Sequence, residues 1–415
     1  MQNLIVQVDE RLPLLQTIPL SLQHLFAMFG ATVLVPFLFH VNPATALLFN
    51  GIGTLLYVVI CKGQIPAYLG SSFAFISPVL LVSSQFGYGS ALGGFIVNGI
   101  IFMLIAAVVY RCGTDWINIV LPPAAMGAIV AIIGLELAPV AAGMAGLTAK
   151  TLDKGAILVS MFTLAVTVIG SVAFRGFFKV IPVLIGVVTG YSLALFMGMV
   201  DFAAIARAAW FSVPTFYRPA FNLSAIAIIV PASLVVISEH IGHLVVTANI
   251  VGRDLIKDPG LHRSLFADGL SNVLSGFFGS PPNTTYGENI GVMAITKVYS
   301  TWVIGGAAII AVVLSFCGKL AALIQTIPVP VMGGVCLLLF GVIAASGIRM
   351  LVETKVDYSK SKNLIMTSVP LVVGLSGAKV SVGAIALQGM SLAAVIAVIL
   401  SLAIAVIQKS GLANE

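Results

Sequence analysis

Charge is what this sequence has least of. Only 8% of its 415 residues are Asp, Glu, Lys or Arg, against about 25% in a soluble domain. With 60% hydrophobic residues and a mean hydropathy of +1.13, that scarcity excludes an ordinary soluble domain and indicates a polytopic membrane protein. The formal net charge of +6 is not gathered into a basic cluster interleaved with aromatics, so nucleic acid is not an expected partner. Cysteine is scarce too. Cys61, Cys112, Cys317 and Cys336 are scattered, with neither metal-type spacing nor the pairing of a disulfide framework, so no metal or other cofactor is expected. There is no P-loop GxxxxGK[ST], which rules against direct drive by ATP. Nucleophile elbows are missing as well, and Ser238 sits beside Glu239 and thus on another helix face. An intramembrane hydrolase built on it or on Ser271 is thus a less favoured reading, and no catalytic residue is expected. Repeated pore-ring or filter motifs of a channel are absent. Residues 1–12 carry Asp9, Glu10 and Arg11 and no cleavable signal, so the whole chain is expected to be mature protein.

What is present is a succession of apolar runs. At roughly 20 residues per span, they read as about fourteen segments: 17–39, 43–61, 67–83, 90–110, 117–139, 155–174, 181–200, 223–250, 264–279, 283–297, 301–323, 328–348, 363–377 and 388–408. An N-terminus on the cytoplasmic side puts 14 Lys and Arg residues inside and 6 outside, the latter being Lys150, Lys154, Arg207, Arg218, Lys319 and Lys379. The positive-inside rule favours that orientation, with both termini cytoplasmic.

The third and tenth segments are short and interrupted. The tenth lies in GSPPNTTYGENIGVMAITK, from Gly279 to Lys297. Pro281 and Pro282 remove backbone donors and do not fit an ordinary helix interior. Irregular backbone at membrane depth survives only where protein or a water-filled cavity surrounds it, and an ionisable residue there, Glu288, marks a functional site. A repeat places this segment. LPPAAMGAIVAIIG from Leu121 matches IPVPVMGGVCLLLFG from Ile327, with Pro122 on Pro328, Met126 on Met332 and Gly127 on Gly333. The fifth span thus pairs with the twelfth and the third with the tenth. A shift of seven spans, being odd, inverts one copy across the bilayer, which is a transporter architecture. Each interrupted span is expected to begin extended and become a half-helix near the midplane, presenting unpaired N–H groups and a positive dipole end. Phe73 and Gly287 are the backbone donors expected there.

The eighth span adds VVISEHIGHLVV, where Glu239 and His243 stand four apart on one helix face. A carboxylate and an imidazole in a membrane must pair or meet water, so this pair is a candidate for proton exchange, while His240 points elsewhere. His24 in the first span and Asp268 in the ninth are further intramembrane polar groups. Glu136 and Lys319, near outer span ends, are accounted for by snorkelling or by lining the mouth.

At these residues the sequence resembles the nucleobase–ascorbate transporters, or nucleobase/cation symporters. The family motif stands here as Glu288, Asn289, Gly291, Thr296 and Lys297. QTIPLSLQHLFAMFGATVLVPFLFH (16–40), PAYLGSSFAFISPVL (66–80) and SEHIGHLVVTANI (238–250) extend the likeness over nearly the whole chain. The resemblance implies an all-helical membrane protein of fourteen spans in two inverted sevens, with short antiparallel strands in the third and tenth. It also implies a homodimer in the bacterial inner membrane. Its core domain would comprise 17–110 and 223–323, and its gate domain 111–200 and 324–408. An outer loop at 201–222 and cytoplasmic ends at 1–16 and 409–415 would complete the chain. Carried over by position, Glu239 and Glu288 would hold a nucleobase, the amides of Phe73 and Gly287 would bind its carbonyls, and Tyr286 and His243 would lie nearby. Glutamate at the head of the motif suits uracil-type members. The expectation is uracil import coupled to protons, with another nucleobase (xanthine, urate or thymine) as the alternative and a channel or an intramembrane hydrolase as the less favoured readings. Two positions depart from a uracil-transporting member, which has asparagine where this chain has Asp268 and tyrosine where it has Phe340.

Overall fold

In an apolar chain every backbone N–H and C=O needs an internal partner, and helices supply it within one segment. The structure, a computed structural model, describes residues 5–149, 151–382 and 385–412. Lys150, residues 383–384 and the two chain ends, 1–4 and 413–415, lie outside the described residues. The first half runs α1 Leu14–Ala27, α2 Phe29–Phe39, α3 Pro43–Ile60, β1 Leu69–Ser71, α4 Ile76–Phe86, α5 Tyr88–Cys112 and α6 Ile117–Val120. It continues through α7 Pro123–Glu136, α8 Ala138–Met144, α9 Lys154–Ala173, α10 Pro182–Phe196 and α11 Ala203–Arg207. The second half has α12 Leu223–Ile229, α13 Ala232–Val251, α14 Leu261–Phe278, β2 Asn283–Thr285, α15 Gly287–Thr296 and α16 Thr301–Ser315. After these come α17 Gly318–Gln325, α18 Val329–Glu353, α19 Ser361–Leu375, the hairpin β3 Lys379–Val382 and β4 Ile385–Gln388, and α20 Gly389–Lys409.

Among the described residues, eight helical stretches are long and apolar enough to cross a membrane: Leu14–Phe39, Pro43–Ile60, Tyr88–Cys112, Pro123–Met144, Lys154–Ala173, Leu223–Val251, Val329–Glu353 and Gly389–Lys409. Phe73–Phe86, Pro182–Phe196, Thr301–Ser315 and Ser361–Leu375 are apolar but shorter. Many large apolar side chains face outward, Val172 and Phe196 among them, a pattern suited to lipid rather than water. Pro231 and Pro328 flank helix starts, where a missing N–H is harmless. The repeat seen in sequence recurs in conformation. α7 and α18 each start one residue after an extended proline, Pro122 and Pro328, at the same 206-residue offset.

Helix packing sorts the elements into two bodies. One unites α1 to α5 with α12, α14, α15 and α16; the other unites α7 to α10 with α18, α19 and α20. α13 belongs with the first body but also touches α7 and α20, so it lies on the seam. Close helix approach is made by small residues: a Cβ on Gly99 would run into Gly269 and Val273 of α14, the contact that a small-residue stripe permits. The N-terminal segment lies across the first body. Val6 bridges to Val298, Asp9 accepts from Arg253 at 2.7 Å, and Arg11 covers the Trp302 ring at 3.6 Å. The guanidinium of Arg253 holds the Asp9 carboxyl below the usual carboxylate range.

Candidate substrate site

β1 and β2 pair antiparallel, with Leu69 opposite Thr285, Gly70 opposite Thr284 and Ser71 opposite Asn283. The ladder extends by one bond, Ser72 N–H to the Pro282 carbonyl at 2.8 Å. Each strand then turns into a helix, β1 through a tight turn at Phe73–Phe75 into α4, and β2 directly into α15 at Gly287. Strands this short are held by their surroundings. Asn283 N–H donates to Asn272 at 2.6 Å, and its side-chain amide reaches the Phe49 carbonyl at 3.0 Å and Ser271 at 2.9 Å. The Leu69 N–H donates to Thr54 at 2.9 Å. Tyr286 donates its hydroxyl to the Ser71 carbonyl and clamps the crossing. Two helix starts with unpaired N–H groups therefore meet at one place.

Around that place stand the residues singled out in sequence. Glu239, His243, Gly287 and Glu288 are half-buried, whereas Ser238, His240, Tyr286 and Asn289 beside them are buried. His243 lies against Gly287 and Glu239 is a near neighbour of Glu288, so the four partly open residues cluster at the seam as a candidate crevice. Glu239 and Glu288 are within electrostatic reach of each other, and Glu239 Oε2 is buried without a hydrogen-bond partner. The Phe73 ring meets Tyr286 edge-on at 6.0 Å and Phe340, from the other body, at 6.2 Å. Two carboxyl groups, two helix N-termini and aromatic edges brought together are suited to a flat ring carrying both N–H and C=O groups.

The expected Glu239–His243 partnership is not how the ring is used. His243 Nδ1 donates to the Thr285 carbonyl at 2.8 Å, tying α13 to β2, and its Nε2 faces Gly287. His240, which sequence only excluded from the crevice, places Nδ1 2.9 Å from Asp268 Oδ2 and Nε2 2.6 Å from Ser264. Tyr57 joins Ser264 at 2.5 Å and Asn272 donates to Asp268 at 3.4 Å. This buried network runs through Asn272 to β2, and no local spacing in the sequence announces it. His24 accepts from Asn289 of the family motif at 2.6 Å. Thr296 bonds back to the Val292 carbonyl at 2.9 Å, Lys297 ends α15 in the left-handed region, and no side chain presses on Gly291. Lys319 is not snorkelling; its ammonium caps α11 through the Ile205 and Ala206 carbonyls at 2.6 and 3.0 Å.

Because His243 anchors β2, a His243→Ala variant is expected to lose substrate binding and transport together, each by about tenfold, the range of one buried hydrogen bond left unmade. A variant that binds normally in a titration yet fails to accumulate substrate would return the ring to the proton path.

Residues 15–383 match the profile of the Permease family. The chain belongs to this family. Membership is what the motif at Glu288 implied, and it makes the protein a multi-pass membrane transporter rather than an enzyme. The family relatives include the uracil permease of Escherichia coli strain K12, 68% identical over 400 residues that cover 96% of this chain and 93% of that protein. The uracil permease of Paenibacillus larvae is 63% identical over the full length of both, and that of Bacillus subtilis 50% identical over 92% of this chain and 91% of that protein. Among solved structures, the transmembrane domain of the cyanobacterial bicarbonate transporter BicA aligns with a TM-score of 0.65 at 12% identity, over 96% of this chain and 100% of that one. SLC26A9 aligns with a TM-score of 0.69 at 15% identity, over 95% of this chain and 65% of that one. At such identities the likeness concerns fold alone: a mostly helical membrane transporter fold of the BicA and SLC26 kind.

Proposed function

We propose that this permease imports uracil together with protons across the bacterial inner membrane. Uracil sits in the crevice between a core domain, 17–110 with 223–323, and a gate domain, 111–200 with 324–408, which move relative to each other to open the site to one side at a time. In this reading fourteen spans form two inverted sevens, both termini are cytoplasmic, and two copies associate as a homodimer. The observation that supports the reading is the meeting of β1 and β2, from whose ends two helices start, beside Glu239 and Glu288. Uracil presents two carbonyls and two N–H groups in one plane, the complement of that set. Sites built this way reject analogues that lack a partner. The names of the relatives at 68%, 63% and 50% identity agree with this substrate.

The test is uptake of labelled uracil into proteoliposomes under an imposed pH gradient, acidic on the side from which uracil is supplied. Accumulation that an uncoupler abolishes supports symport; equilibration alone would indicate a channel, and release of a chemically altered product a hydrolase. Preferential accumulation of xanthine, urate or thymine would redirect the substrate assignment.

Glu288 supplies the sharpest check on the binding pose. Its carboxylate accepts from a ring N–H, whereas the amide of Glu288→Gln can turn a donor toward the same hydrogen. Uracil affinity is expected to fall about tenfold to a hundredfold, measured by calorimetric titration of the purified protein. Unchanged affinity would remove Glu288 from the site.

A further inference from the structure

Glu136 ends α7 in the second body, and its carboxylate is fixed by its own body first. Oε2 accepts the Met390 N–H of α20 at 2.8 Å. Gly389, with φ +56°, makes room for it, since a Cβ there would overlap the carboxylate. The other oxygen reaches across the seam. Oε1 accepts from Ser77 Oγ at 2.6 Å, and Ser77 stands on α4 of the first body, one helical turn beyond Phe73. Every other side-chain hydrogen bond described above stays within one body or its connecting loops. The bond lies at the start of α20, whose 21 residues separate it from the C-terminal end of the chain, while the N-terminal segment is tied through Asp9 to Arg253, just past the end of α13.

We propose that Glu136 and Ser77 form a clasp that holds the two bodies together on the side of the site opposite the chain termini, and that opening to that side requires this bond to break. Its construction suits repeated opening. When Ser77 leaves, Glu136 keeps its bond to Met390, so no carboxylate is stranded without a partner. Ser77 moves with α4, whose preceding turn begins at Phe73, so occupancy of the crevice and closure of the clasp act on the same short helix. The clasp rests on the reading that these bodies move around a bound substrate, and its test is therefore chosen to need no substrate.

Spin labels at Phe86→Cys on α4 and Leu147→Cys after α8, with the four native cysteines replaced by alanine, report the separation of the bodies on the clasp side. Both positions are exposed. In lipid nanodiscs without uracil, the parent protein is expected to give mainly the short distance. Ser77→Ala, which leaves the Met390 bond intact, is expected to raise the long-distance population about tenfold relative to the short one, the effect of losing one charge-assisted hydrogen bond. Glu136→Ala should do the same. Glu136→Gln should stay close to the parent, because its amide can accept from Met390 and donate to Ser77. A second measurement compares apparent uracil affinity in vesicles of the two orientations. Ser77→Ala should gain on the clasp side without gaining on the termini side, whereas simple loosening of the fold would lower both. Identical distance distributions in the parent and Ser77→Ala overturn the clasp, whatever the uracil measurements give. Failure of the parent to take up uracil, with the distance shift intact, would instead count against the transported substrate.

Discussion

A Glu239→Gln permease is expected to bind uracil and exchange it across the membrane, yet to bring the uracil concentrations on the two sides only to a ratio of about one under a pH gradient that, in the proposed symport, drives accumulation by the native protein. Glu239 lies on the seam helix α13 with Oε2 buried and unpartnered, close to the Glu288 carboxyl group. Such a carboxylate is stabilised by taking up a proton or by a substrate donor. Glutamine imitates the protonated form permanently. If the proton that loads Glu239 favours uracil binding, uracil must in turn favour that proton by the same factor. Native binding should therefore weaken as pH rises and Glu239 loses its proton, while Glu239→Gln binds with little dependence on pH. The deciding readout is uptake into proteoliposomes with and without the gradient. Continued accumulation by Glu239→Gln would pass the coupling role to His240 and Asp268 or to His24.

The second large effect is expected at Asp268. Its side chain is fully buried, beside His240 on one oxygen and Asn272 on the other. Asp268→Ala strands the imidazole and one amide of the network that supports β2, and removing one partner of a buried pair costs about 3 kcal/mol or more. Asp268→Asn retains an acceptor for His240 and should cost about 1 kcal/mol. Thermal unfolding in detergent should therefore rank the native protein first, Asp268→Asn slightly below it and Asp268→Ala well below both. Coincident melting curves for Asp268→Ala and the native protein would show that the network contributes nothing to stability. Loss of uracil binding in Asp268→Ala at temperatures where it remains folded would show that the network also sets the position of β2.

The long apolar runs, the proline-marked starts of α7 and α18 and the broken backbone at Pro281-Pro282 were legible because each leaves a mark within a few residues. Glu239, His243 and Glu288 stand out in the sequence because they are polar in apolar surroundings. Partner choice was not legible. Spacing put Glu239 and His243 on one face, but the His243 ring turns to the Thr285 carbonyl, a backbone atom that no side-chain pattern reveals. His240 and Asp268 come from different helices, and their pairing follows from packing rather than from period. The place of Glu136 near a span end accounts for its polarity but not for its partners. Its contacts with Ser77 and Met390 depend on the approach of α4 and α20, elements separated by some three hundred residues of chain.

The β1–β2 crossing also constrains how the chain is made. β1 ends at Ser71 and its partner begins at Asn283. At about 5–20 residues per second, the ribosome delivers β2 roughly 10–40 s after β1. Through that interval the first strand, already at membrane depth by its place between α3 and α4, lacks the partner for its backbone groups, each costing several kcal/mol if left in lipid. Nascent chains at this stage need water, the insertion machinery or a chaperone at that edge. A fragment stopping before Asn283 is therefore expected to be a substrate for membrane proteases rather than a stable half-transporter, and the N-terminal segment, whose partner Val298 emerges later still, docks only after the crossing has closed.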